Sequence, residues 1–132
     1  MGSGGPTTIY VGQNRNSAFQ ADATDDARTL ASIEIVVCPA LGVTSSDLRA
    51  RTRSRASVAF ARQVSMYLAH VVYGMSLKDA ASLFHRDRTT AAHACSVIED
   101  KRDDPAFDAF MEHIELAILH LRRIPLGVDL HR

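Results

Sequence analysis

The stretch that most constrains this chain is 74–101, where two helical patterns follow each other with almost no residues between them. Gly74 ends the preceding apolar run as a left-handed stop. Ser76-Leu77-Lys78-Asp79 has the form of a capping box, with Asp in place of the usual Glu or Gln. It opens a short helix over 76–84 whose inward residues are Ala80, Ala81, Leu83 and Phe84. His85-Arg86 makes a tight break. Asp87 then caps a second helix running to about 101, with Ala91, Ala94, Cys95 and Ile98 inward. A short helix, a tight turn and a longer helix form the helix-turn-helix pattern, whose second helix can enter the major groove of duplex DNA. Many helical bundles share that pattern, so the side chains must decide its use.

The rest of the chain is also read as helix. Residues 1–23 are rich in Gly, Ser, Thr, Asn and Gln and are expected to form a flexible tail. The opening Met-Gly-Ser-Gly-Gly also reads as an expression-tag remnant. Thr24, Asp25 and Asp26 are cap candidates for a first helix to about Leu41, in which Pro39 predicts a kink or an early stop. The β-branched run Ile33 to Val37 offers a short strand as the competing reading. Ser45 or Ser46 is the expected cap of a short turn through Asp47 and Leu48. Val58, Ala61, Val64 and Leu68 predict a helix from Ser57 to about Tyr73. Asp104-Pro105 starts a last helix with Phe107, Phe110, Met111, Ile114, Ile118 and Leu121 along one stripe, and Pro125 ends it. The expected fold is all-α, a compact bundle of about five to six helices over 24–124, followed by a tail over 125–132.

Charge distribution says more than net charge, which is zero. Arg49, Arg51, Arg53, Arg55 and Arg62 fall between Leu48 and Gln63 without one acid, whereas acids gather upstream and after residue 102. A compact basic stripe on a neutral chain is a local footprint for nucleic acid. Every apolar stretch is interrupted well before about 18 residues, and no basic-then-apolar leader opens the chain. Cys38 and Cys95, far apart, suit buried thiols in a reducing cytoplasm. His85, His93 and Cys95 fit no usual zinc spacing, and no nucleophile–base set can be assembled. The chain is expected to have no catalytic residues, metal or cofactor and to act near the nucleoid.

The tip of the second helix carries Asp87-Arg88-Thr89-Thr90, with His93 and Ser96 farther along the outward face. Asp can accept from cytosine N4, Arg can bond guanine O6 and N7, and Thr can touch a thymine methyl. Arg53, Arg55, Arg62 and Gln63 upstream would anchor phosphate or the minor groove.

Arg62-Gln63-Val64-Ser65-Met66-Tyr67-Leu68-Ala69, Gly74-Met75-Ser76-Leu77, Phe84, Arg86-Asp87-Arg88-Thr89-Thr90, His93-Ala94 and Ile98-Glu99 together resemble the C-terminal DNA-binding domain of the bacterial replication initiator DnaA. The resemblance spans about residues 28–120. It implies an all-helical fold of the Trp repressor class and recognition of a duplex DNA box. On the matching positions, Asp87, Thr89 and Thr90 would read bases and nearby phosphate, and Arg62 and Gln63 would hold the backbone. Leu77 and Lys78 would abut the DNA, and Arg53 or Arg55 would enter the minor groove. The departures are specific. Arg88 stands where the family carries His, His85 replaces a Gly-Gly pair, Ala61 replaces a proline, and Pro39 is an addition. The basic-loop arginines also fall about one position out of register. No Gly-rich Lys-Ser/Thr phosphate loop occurs in the sequence, so neither nucleotide binding nor origin melting is expected.

The expected function is sequence-specific double-stranded DNA binding, as a free-standing transcription regulator or a modulator of replication initiation. A protein-interaction module that keeps the fold without tight DNA binding is the alternative. Self-association and contact with replication or transcription proteins stay open.

Overall fold

The computed structural model describes residues 25–52 and 55–123, which form six helices and no strand. The expected tails over 1–23 and 125–132, the cap at Thr24 and the basic-loop residue Arg53 lie outside the described residues. The helices are α1 (25–41), α2 (Ser45–Arg49), α3 (Ala56–Val71), α4 (Leu77–Ser82), α5 (Arg88–Lys101) and α6 (Pro105–Arg122).

The expected first helix to about Leu41 is present, without the competing strand or an early stop at Pro39. Residues 33–37 are helical, because Ile33 and Val37 recur four apart and are both fully buried, a helix face that overrides β-branching. Helix α1 also runs on past Pro39 to 41. The proline costs a hydrogen bond to the carbonyl of Ile35, whose side chain is 58% exposed, on a helix side where water can serve instead. Gly42 (φ 69°) then ends α1, and the Val43 N–H returns to the Cys38 carbonyl at 3.1 Å, as in a Schellman motif. Thr44, rather than Ser45 or Ser46, caps α2. Its hydroxyl accepts from the Asp47 N–H at 3.0 Å while the Asp47 carboxylate accepts from the Thr44 N–H at 3.4 Å.

Helix α3 is the axis of the bundle, with Val58, Ala61, Val64, Met66, Leu68 and Ala69 all buried. Helices α2, α4 and α5 pack against it. Helix α6 runs alongside in the same direction: Phe60 meets Phe107 near their starts, and Arg122 reaches the Val72 carbonyl and the Tyr73 ring near their ends. Arg102, just past α5, ties three helices together. It donates to Asp108 (2.6 Å) and Glu115 (2.7 Å) on α6 and to the Tyr67 hydroxyl (3.1 Å) on α3. Burial opposes its charge, but the bonds to Glu115, Asp108 and Tyr67 outweigh this and raise its proton affinity above the ordinary guanidinium range.

The turn between α4 and α5 takes only the residues it needs. Ser76 caps α4 by accepting from the Asp79 N–H at 3.0 Å. At the other end, the His85 N–H bonds the Ser82 carbonyl (3.2 Å) and the Arg86 N–H bonds the Ala81 carbonyl (3.0 Å). This is the bond pair of a Schellman motif, with His85 at the left-handed position that glycine usually takes, φ 59°. Phe84, fully buried, pins the turn to the core. Asp87 follows two residues after His85 and already caps α5.

Arg62 supports the neighbouring loop from inside. Only 5% exposed, it donates to the carbonyls of Leu48 (3.1 Å), Asp47 (3.0 Å) and Ala50 (3.4 Å), the last turn of α2 and the residue after it. Burial, and secondarily the nearby Arg86 charge, lower its proton affinity.

Two stability measurements test these features. His85→Gly should stabilise the chain by about 1 kcal/mol, since glycine pays no Cβ penalty in the left-handed region. A lower melting temperature would mean the imidazole makes a compensating contact. Arg62→Ala should cost about 3 kcal/mol in urea unfolding, because three carbonyls lose a charged donor. Arg62→Lys should recover only part, lacking the planar fork.

Candidate nucleic-acid interface

The site is built on the exposed tip of α5. Asp87 Oδ1 accepts from both the Thr90 N–H and the Thr90 hydroxyl, each at 2.9 Å. Those bonds, the backbone one foremost, hold the Asp87 carboxyl below its usual range. The carboxylate is therefore first a helix cap. The Thr90 hydroxyl spends its proton on this cap and is half-buried. Arg88 and Thr89 are exposed at the first two helical positions. Thr89, His93 and Ser96 recur at i, i+4 and i+7 and are all exposed, opposite the buried face of Ala91, Ala94, Cys95 and Ile98. A strip of small and medium polar groups on a rigid helix is a surface that fits a groove closely.

The surrounding expected residues divide into exposed groups and internal supports. Lys78 is exposed at the start of α4, while Leu77 is half-buried and packs against the core. Arg86 folds back on the turn, donating to the Phe84 carbonyl at 2.8 Å, and stands near enough to Arg62 for the two charges to repel. Gln63 is half-buried beside Arg62. Arg55 is the residue before α3; its side chain is exposed, within 3.1 Å of the Ser57 hydroxyl and 3.4 Å of the Asp47 carboxylate.

The basic stripe read from sequence thins in three dimensions. Arg49 is turned toward α1, where both of its donating nitrogens bind the buried Glu34 carboxylate, one of them at 2.7 Å. Arg62 is internal, as described. Arg51 and Arg55 remain exposed in the described part of the loop. Sequence places Arg51 in the stripe without a role; its exposure is the tertiary fact that sequence does not supply.

Among the described residues no group of three or more His, Cys, Asp or Glu side chains is placed to hold a metal ion. No helix there is long and apolar enough to cross a membrane. The Cys38 and Cys95 thiols are buried, which raises the pKa of both.

Comparison with known proteins agrees with this geometry. The chain is 41% identical over 88 residues to the chromosomal replication initiator protein DnaA of Symbiobacterium thermophilum, and 42% identical over 73 residues to that of Desulfatibacillum aliphaticivorans. These alignments take in 65% and 55% of this chain but only 19% and 16% of those proteins. A solved structure of a DNA replication initiation factor shares the fold, with a TM-score of 0.70 at 22% identity, over 86% of this chain and 35% of that one. A family model described as the bacterial dnaA protein helix-turn-helix matches residues 30–98, from α1 to near the end of α5. The chain belongs to the bacterial dnaA protein helix-turn-helix family.

Proposed function

We propose that this chain binds duplex DNA sequence-specifically, with α5 in the major groove, as a regulator of transcription or of replication initiation at initiator-box-like sites. The observation that carries the reading is the tip of α5: Arg88 and Thr89 exposed at the first turn of a helix fixed by its Asp87 cap and by buried Phe84. Its relatives are chromosomal replication initiator proteins, and the segment that matches the family model, residues 30–98, includes this turn.

In this reading Thr89 and Arg88 are the main base readers, and His93 lies farther along the groove. Asp87 contributes through its exposed carboxylate and through its hold on Thr90, which offers its methyl group and an acceptor lone pair. Lys78, Arg55 and Arg51 contact phosphate, and Arg53 or Arg55 enters the minor groove. Leu77 abuts the sugar–phosphate backbone. Arg62 and Arg86 act chiefly by holding the loop and turn in place, a role closer to support than to direct contact, and Gln63 lies against the backbone of the duplex. The mode is binding, with neither metal nor nucleotide.

Arg88 sets the specificity. A guanidinium presents a planar fork matching guanine O6 and N7, which the family's imidazole at this position does not. The preferred site should then resemble an initiator box with guanine near the base that Arg88 faces.

Three measurements test this. Affinity should fall with salt at a log–log slope of about −3, from the three cations placed on phosphate; indifference to salt would favour a protein-interaction module. Thr89→Ala should cost about 1–3 kcal/mol on the selected site and little on random duplex. Arg88→His should shift selection from random DNA back toward the ordinary initiator box. A uniform loss of affinity instead would make Arg88 a phosphate anchor.

A further inference from the structure

Helix α6 carries two apolar stripes, and the core uses one of them. Met111, Ile114 and Ile118 are buried. On the opposite side Leu116 is 63% exposed and Leu119 is 43% exposed, bracketed by exposed Glu112 and Arg123. At about 100° per residue these four positions fall within a strip roughly 60° wide and roughly 16 Å long. The family match ends at residue 98, before α6 begins.

The strip is self-complementary. Its spacings of four, three and four residues read the same in either direction. When two copies of α6 are laid antiparallel about the point midway between Leu116 and Leu119, each Leu116 meets Leu119 of the other copy. The same operation brings each Glu112 against Arg123 of the other copy. A parallel pair would instead place Glu112 on Glu112 and Arg123 on Arg123, so charge selects the antiparallel arrangement. A two-fold interface requires this property: the patch that serves one subunit must also fit itself.

We infer that the outer face of α6 is the contact surface for a second copy of this chain, forming a two-fold dimer through antiparallel α6 helices. Two leucines per copy make a small seam, short of the about 1,200–2,000 Å² that stable interfaces bury, so the dimer is weak in free solution. The seam shares no residue with the α4–α5 face, and both copies keep their recognition helices open. Holding one duplex would raise their effective concentration and stabilise the pair. The inference stands apart from the DNA reading, since it rests on α6 alone.

The test is sedimentation equilibrium of the full chain without DNA. The weight-average mass should rise from one chain toward two between about 10 μM and 1 mM. Leu116→Glu should hold it at one chain throughout, with an unchanged circular dichroism spectrum because Leu116 is exposed. Glu112→Arg and Arg123→Glu should each weaken association, and the two together should restore it. A parent chain that stays monomeric overturns the inference. So does association that Leu116→Glu leaves intact. A monomeric parent whose melting temperature falls on Leu116→Glu would assign the stripe to the chain's own terminal segments, which also overturns it.

Discussion

The binding face depends on how abruptly the chain stops one helix and starts the next. Between the buried Phe84 ring and the Asp87 carboxylate there are two residues, and every backbone N–H from 84 to 86 is bonded. The Schellman bonds at His85 and Arg86 set the direction in which the chain leaves α4. The Asp87 bonds to Thr90 set the direction in which α5 begins. Because Phe84 sits in the core, this geometry is tied to α3 and to the packing of the whole bundle. A residue that can tolerate φ 59° without being glycine is the cost of making the turn this short.

Around that turn, positively charged groups divide into those that build and those that are presented. Arg62 and Arg102 are spent on carbonyls, carboxylates and a tyrosine hydroxyl inside the bundle, and Arg49 is spent on Glu34. Exposed around it are Arg51, Arg55, Lys78 and Arg88, spread over the basic loop and the starts of two helices, and Arg49 keeps half of its side chain in water while it holds Glu34. Losing Arg62 would therefore change DNA binding by releasing the loop that carries the outward arginines. In the proposed reading, a stability residue then bears on function through position rather than contact.

Local signals made much of this legible. Gly74, the caps at Ser76, Asp87 and Asp104, and the inward stripe of α5 all follow from residues within four positions of one another, and each appears in the structure. The Thr44–Asp47 capping box has the same kind of signal, but Ser45 and Ser46 beside it are equally good cap residues by type, and only the hydrogen bonds separate them. What could not be read were contacts across the fold. Arg62 meets carbonyls twelve to fifteen residues earlier, and Arg49 meets Glu34 fifteen residues earlier. Sequence counts such arginines as one basic stripe; burial and pairing decide which of them a polyanion can reach. The Asp87 bonds to the Thr90 N–H and hydroxyl, in contrast, span only i, i+3 and belong with the local signals.

The family supplies a shared helix-turn-helix, on which the proposed base preference rests. An amide chemical-shift titration of the chain with duplex DNA carrying an initiator-box-like sequence is the most direct measurement of where that duplex sits. Saturable shifts should concentrate on 77–79, 85–96 and the basic loop around 50–57, and salt should reverse them. Shifts concentrated on α6, or no saturable shift at low salt, would contradict a DNA-reading role for this face.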